Sequence, residues 1–108
     1  MNISDILKLP LQSINNVSFD VQIESVYISD LLSFVIANAK EGALWLTVQK
    51  HLNVIAVAQL NDFAGIIFVQ DSYPDEDVIK KASELDIPLF VTHLPAYEMA
   101  KELMMLGL

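Results

Sequence analysis

An α/β fold, built on a small and mainly parallel sheet of repeated strand–helix units flanked by helices, is predicted by three observations. Residues 44–48, 65–69 and 88–91 are short apolar runs of strand length. Their ends recur after 21 and then 22 residues, the period of successive strand–helix units. Each run leads into a polar turn, Gln49-Lys50-His51, Gln70-Asp71-Ser72 or Thr92-His93, and then into a helix-like segment. In a parallel sheet these exits share the carboxyl edge, where ligands of such sheets bind.

The remaining elements follow from local patterns. Ser4 and Asp5 are placed to cap a short helix through Leu9, which Pro10 helps to end. Residues 11–18 read as a loop with a turn at Asn15-Asn16. Residues 19–26 alternate, Phe19, Val21 and Ile23 against Asp20, Gln22 and Glu24, as a half-exposed strand does. Ser29 or Asp30 then caps a helix from Leu31 to about Lys40, stopped by Glu41-Gly42. Its almost wholly apolar sequence predicts burial on most faces. The β-branched residues of 52–60 would allow a strand, but the spacing of the flanking strands favours a helical crossover. Pro74 suits the first turn of the next helix, with Asp75-Glu76-Asp77 at its positive end and Val78, Ile79, Ala82 and Leu85 as its buried stripe. Pro95 opens the last helix, which carries Met99, Leu103, Met104 and Leu106 and ends at Gly107. One domain is expected over residues 1–108, with a leading helix and loop (1–18) before an α/β core (19–108).

Composition limits the function. Fourteen acidic residues face six lysines, with no arginine, for a net charge of −8. Such a surface repels nucleic acid and anionic membranes, and lacks the bidentate phosphate clamp that arginine provides. No apolar run approaches a membrane span. Residues 1–5 lack the basic stretch and apolar core of a signal peptide, and cysteine is absent, so a cytoplasmic location is expected. The apolar fraction, 54%, exceeds the ~45–50% usual for soluble domains and points to a homodimer. Met99, Leu103 and Met104 are the candidate interface.

The candidate ligand-binding residues are the strand-exit group: Gln49, Lys50, His51, Gln70, Asp71, Ser72, Thr92 and His93. His51, Asp71 and His93 could form a two-His, one-carboxylate metal site, but loop histidines facing solvent explain them better. Asp71, Ser72 and His93 lack a Gly-x-Ser-x-Gly elbow. The helix dipole accounts for Asp75-Glu76-Asp77, a helix cap for Ser29 and Asp30, and core packing for Trp45. The glycines, Gly42, Gly65 and Gly107, form no P-loop. No cofactor, resident metal or catalytic residue is assigned.

Several segments carry a family resemblance. Gly42-Ala43-Leu44-Trp45-Leu46-Thr47, Ala64-Gly65-Ile66-Ile67, Pro74-Asp75-Glu76-Asp77-Val78-Ile79 and residues 87–92 with 94–98 resemble the DRTGG domain family, which is similar to the N-terminal domain of HPr kinase/phosphorylase. Residues 27–33 and 37–42 look like its small stand-alone bacterial members. The resemblance implies a regulatory or dimer-forming module without established activity. Lys50-His51 stands where the family's Asp-Arg pair is expected, and Val69-Gln70-Asp71 where Thr-Gly-Gly is expected. The expectation is therefore a non-catalytic regulatory or protein-interaction module, sensing a small polar metabolite at the strand edge or binding a protein partner. The alternative is an enzyme or metal-dependent subunit using His51, Asp71 and His93.

Overall fold

In the computed structural model, which describes residues Met1–Leu108, the chain opens with a 3₁₀ helix (Ile3–Ile6) and β1 (Gln12–Ser13). There follow β2 (Ser25–Ile28), α1 (Leu32–Asn38), β3 (Ala43–Thr47) and α2 (Asn53–Leu60). The last elements are β4 (Gly65–Phe68), α3 (Glu76–Glu84), β5 (Leu89–Val91) and α4 (Ala96–Leu106). The strands form one sheet in the order β1-β5-β4-β3-β2. β2 to β5 are parallel and adjacent in chain order, while β1 runs antiparallel along β5. Thr47 lies opposite Phe68, and Phe68 opposite Val91, so the three parallel strands do end level with one another. The expected α/β sheet with a common carboxyl edge is present.

Alternation along the strands sends side chains to two cores. Ala43, Trp45, Ile66, Phe68 and Leu89 meet α1, α2 and α3 through Val35, Val54, Ala58, Val78 and Ala82. Leu44, Leu46, Ile67 and Phe90 meet the opposite layer, formed by Ile3, Ile6, Ile23, Met99 and Leu103. Consecutive parallel strands joined by crossovers of one hand place their helices on one face. The other face is therefore left to the N-terminal segment and α4. Ile3 and Ile6 of the N-terminal segment thus belong to the core.

Several local expectations are corrected. The first helix is a single 3₁₀ turn, closed by Asn2, whose side chain accepts from the Ser4 amide while Asp5 accepts from the Asn2 amide. Residues 11–18 hold β1, and Asn15 extends its pairing through an amide that donates to Ile87 O and accepts from Leu89 N–H. Residues 19–24 keep the expected alternation with Ile23 buried, but residues 19–23 bond the N-terminal segment instead of the sheet: Ile3 N–H to Val21 O, Ser4 N–H to Phe19 O and Ile23 N–H to Met1 O. The sheet strand begins only at Ser25. Pro74 precedes the N-cap of α3, Asp75, and so lies just outside the helix. Pro95 is the N-cap of α4, and Gly107, at φ 119°, closes that helix in the left-handed conformation.

α1 departs most from expectation. Only Val35 is buried; Leu31, Phe34 and Ile36 are 56%, 58% and 44% exposed. It is the outermost helix on its face, with α2 on one side and nothing on the other.

At Gly65, a Cβ would stand 2.9 Å from the Pro88 carbonyl oxygen, the acceptor of the Ile66 amide. Gly65→Ala is expected to destabilise the fold by about 1–3 kcal/mol through this backbone clash, measured by urea unfolding.

Candidate functional site

The carboxyl edge is laced together by hydrogen bonds from buried hydroxyls. At the end of β3, Thr47 is buried on the α1–α3 face, and its hydroxyl donates to the Asp30 carboxylate at 2.8 Å. The same carboxylate oxygen accepts from the Val48 amide at 2.8 Å, and the Gln49 amide side chain donates to Asp30 O at 2.8 Å. Asp30 therefore clamps the exits of β2 and β3. The expected cap is absent, for the N-cap of α1 is Leu31 and has no side-chain bond. Ser29 Oγ accepts from the Leu31 amide, and the Trp45 indole donates to Ser29 O. Continuing the β2–β3 register, in which Ile28 faces Leu46, places Asp30 beside Val48. β2 continues to Ile28, past the Val26 end that the alternation predicts, and this continuation carries the register to Asp30.

At β5, Thr92 is buried on the opposite face. Its hydroxyl donates to Pro10 O at 2.7 Å and accepts from the Leu94 amide. Between these two exits, Gln70 and Asp71 at the end of β4 adopt φ values of 56° and 58°, the left-handed region that favours glycine. Their amides donate to Leu94 O and Thr92 O, and the Ser72 amide to Val69 O. Ser72 Oγ donates to Val48 O at 2.6 Å. The turn thus has its amides committed within the chain, and they do not form a phosphate cradle.

The eight candidate ligand residues separate accordingly. Gln49, Ser72 and Thr92 brace the exits. His51 Nδ1 lies 2.9 Å from Asp75 Oδ2, an exposed hydrogen bond that ties the β3 exit to the start of α3. Lys50, Gln70, Asp71 and His93 are exposed, and their side chains bond to nothing else in the chain. Of these, Asp71 and His93 share a hollow of about 350 Å³ with Pro10, Leu11, Gln12 and Thr92. β4 lies between the exits carrying His51 and His93, about two strand spacings or ~10 Å. His51, Asp71 and His93 are not brought together, and no three His, Asp or Glu side chains gather around one ion position.

The hollow's location follows from topology. β4 passes into α3 on one face and β5 into α4 on the other, so their exits part at the carboxyl ends of the strands, outside which open α/β sheets bind ligands. A wider hollow of about 500 Å³, walled by Glu24, Glu41 and Asp62, opens at the amino-terminal end of the sheet, away from the strand exits.

The proposed interface trio also separates. Met99 and Leu103 are 0% and 1% exposed within the chain's own core, because they lie on the inward stripe of α4. Only Met104, 71% exposed, remains at the surface, beside Tyr97 and Met105. No helix is long and apolar enough to cross a membrane. In comparison with known proteins, no protein-family model and no curated protein matches the chain.

Three outcomes are expected in urea unfolding. Asp30→Ala should cost about 1.5–3 kcal/mol, since the Thr47 hydroxyl and the Val48 amide lose a charged acceptor, whereas His51→Ala should cost less than about 1 kcal/mol, as exposed pairs do. Gln70→Gly should stabilise the protein by about 0.5–1 kcal/mol, relief of the left-handed φ exceeding glycine's added chain entropy.

Proposed function

We propose that this chain is a non-catalytic regulatory module that holds a small polar metabolite at the β4–β5 exit and acts as a homodimer. The observation that carries the reading is the hollow at the carboxyl ends of β4 and β5, where Asp71 and His93 present side chains with no structural employment. A carboxylate and an imidazole, beside the amide of Gln12, suit a ligand with hydrogen-bond donors and acceptors of its own. The Ser72 and Thr92 hydroxyls, by contrast, donate to main-chain carbonyls, which is the work of a brace and not of a nucleophile.

The resemblance to the DRTGG domain family gains support from the backbone. Gln70 and Asp71 occupy the positions of that family's paired glycines, and both have the left-handed φ that glycine adopts freely. Self-association is supported by eleven large apolar side chains more than a third exposed, grouped chiefly on β2–α1 and on the outer stripe of α4. Composition without cysteine fits a reducing, cytoplasmic setting.

A thermal-shift screen with nucleotides, amino acids and sugar phosphates tests the ligand site. A probe at a hundredfold excess over Kd should add about 2.7 kcal/mol and raise Tm by roughly 10 °C or more. Asp71→Asn, which keeps a residue tolerant of the left-handed conformation, and His93→Ala should abolish that shift without lowering the Tm of the free protein. A full shift retained in both variants, or no shift with any probe, would remove the proposed site.

A further inference from the structure

The observations carry an inference about where the second copy sits. β2 is an edge strand, paired with β3 on one side only. Its sequence, Ser25-Val26-Tyr27-Ile28, has none of the lysines, prolines or bulges that protect open edges. α1 lies against it and is only seven residues long, too short to be stable without packing.

Helix geometry directs the free apolar surface of α1 towards that edge. Leu32 and Ala39 pack into the α1–α3 core, and the Asn61 amide at the end of α2 donates to the carbonyls of Ile36 and Ala39. These positions mark the flank of α1 that faces α2. At 100° per residue, Phe34 falls on the opposite flank, and Leu31, the extended N-cap, enters the helix from the end of β2. Leu31 and Phe34 are 56% and 58% exposed there, while Ile28, 47% exposed, lies in line with Val26 on the other face of β2.

Charge selects the occupant. Residues 25–39 contain a single charged side chain, Asp30, and its carboxylate is turned back onto Thr47 and Val48. The other thirteen of the fourteen acidic residues, and all six lysines, lie elsewhere. Two copies of charge −8 repel wherever their acidic surfaces face one another. A twofold contact sets like against like, so a nearly charge-free edge lets identical chains meet without that repulsion. We infer that β2 pairs antiparallel with β2 of a second copy across a twofold axis, joining the two five-stranded sheets, with Leu31 and Phe34 of α1 packed across the same axis. Antiparallel addition satisfies the outward main-chain groups of β2, while burial of the α1 flank supplies the apolar contribution.

This location rests on the self-association in the reading above, and the experiment separates the two. Sedimentation velocity over a range of concentrations should find the wild type at twice the chain mass. Phe34→Glu and Ile28→Lys, both at exposed positions, should each weaken dimerisation at least a hundredfold with unchanged circular dichroism, while Met104→Glu should leave it intact. In the wild type, amide exchange of residues 25–28 should slow on going from monomer to dimer concentrations. A wild type that is monomeric throughout would remove self-association itself. A dimer that survives Phe34→Glu and Ile28→Lys but falls to Met104→Glu, or exchange at β2 independent of concentration, would leave self-association standing and overturn its placement at β2.

Discussion

The structure depends on burying both faces of β3 and β4. Leu44, Trp45 and Leu46 are consecutive, and none retains exposed surface, so two independent apolar layers are needed. Sequential winding from β2 to β5 supplies only one of them, because each crossover helix lands on the same face. The second layer comes from the chain ends: Ile3 and Ile6 of the 3₁₀ segment and Met99 and Leu103 of α4. Sending α4 to that second face parts the exits of β4 and β5. The hollow beside Asp71 and His93 is thus a consequence of covering the sheet.

The same burial shapes the carboxyl edge. Thr47 and Thr92 place hydroxyls on opposite faces, where an unpaired donor would cost about 1–3 kcal/mol. Each finds its acceptor in the segment that precedes its strand in space: Asp30 for Thr47 and Pro10 for Thr92. These bonds, with those from Gln49 and Ser72, lock neighbouring exits into one framework. Bracing uses most of the polar groups that would otherwise serve a ligand. What remains accessible is a short set of side chains, held on a rigid rim.

Legibility in the sequence followed the range of the forces involved. The parallel strands and their level ends were visible because continuous apolar runs at a regular period have few other solutions. β1 was not, since two residues have no periodicity and its pairing is decided by β5 and by Asn15 reaching Leu89 across the fold. The alternation at 19–24 correctly marked Ile23 as buried, but period alone does not name the pairing partner, which is the N-terminal segment. Of the rim residues, those after β4 and β5 were found by position, whereas Asp30 was missed because its role depends on a register that the misplaced β2 concealed. Met99 and Leu103 shared one reading with Met104, although a single step along a helix turns a side chain by 100° and here separates core from surface.

α1 shows why an apolar helix need not be a buried one. Its burial depends on what lies on either side, and an edge helix has a neighbour on one flank only. The exposed flank and the hollow occupy different ends of the sheet: β2 and β5 are separated by β3 and β4, about 14 Å across three strand spacings. A second copy seated at β2 therefore leaves Asp71 and His93 open to solvent, and an occupied hollow does not touch the twofold contact. Coupling between ligand and assembly would have to pass through β3 and β4, whose side chains are packed on both faces, or through Asp30, Gln49 and Ser72, which hydrogen-bond one exit to the next. The second route runs along the rim from the β4 turn beside the hollow to the start of α1. Its bonds run from Ser72 Oγ to Val48 O and from the Val48 amide to Asp30, the residue immediately before Leu31.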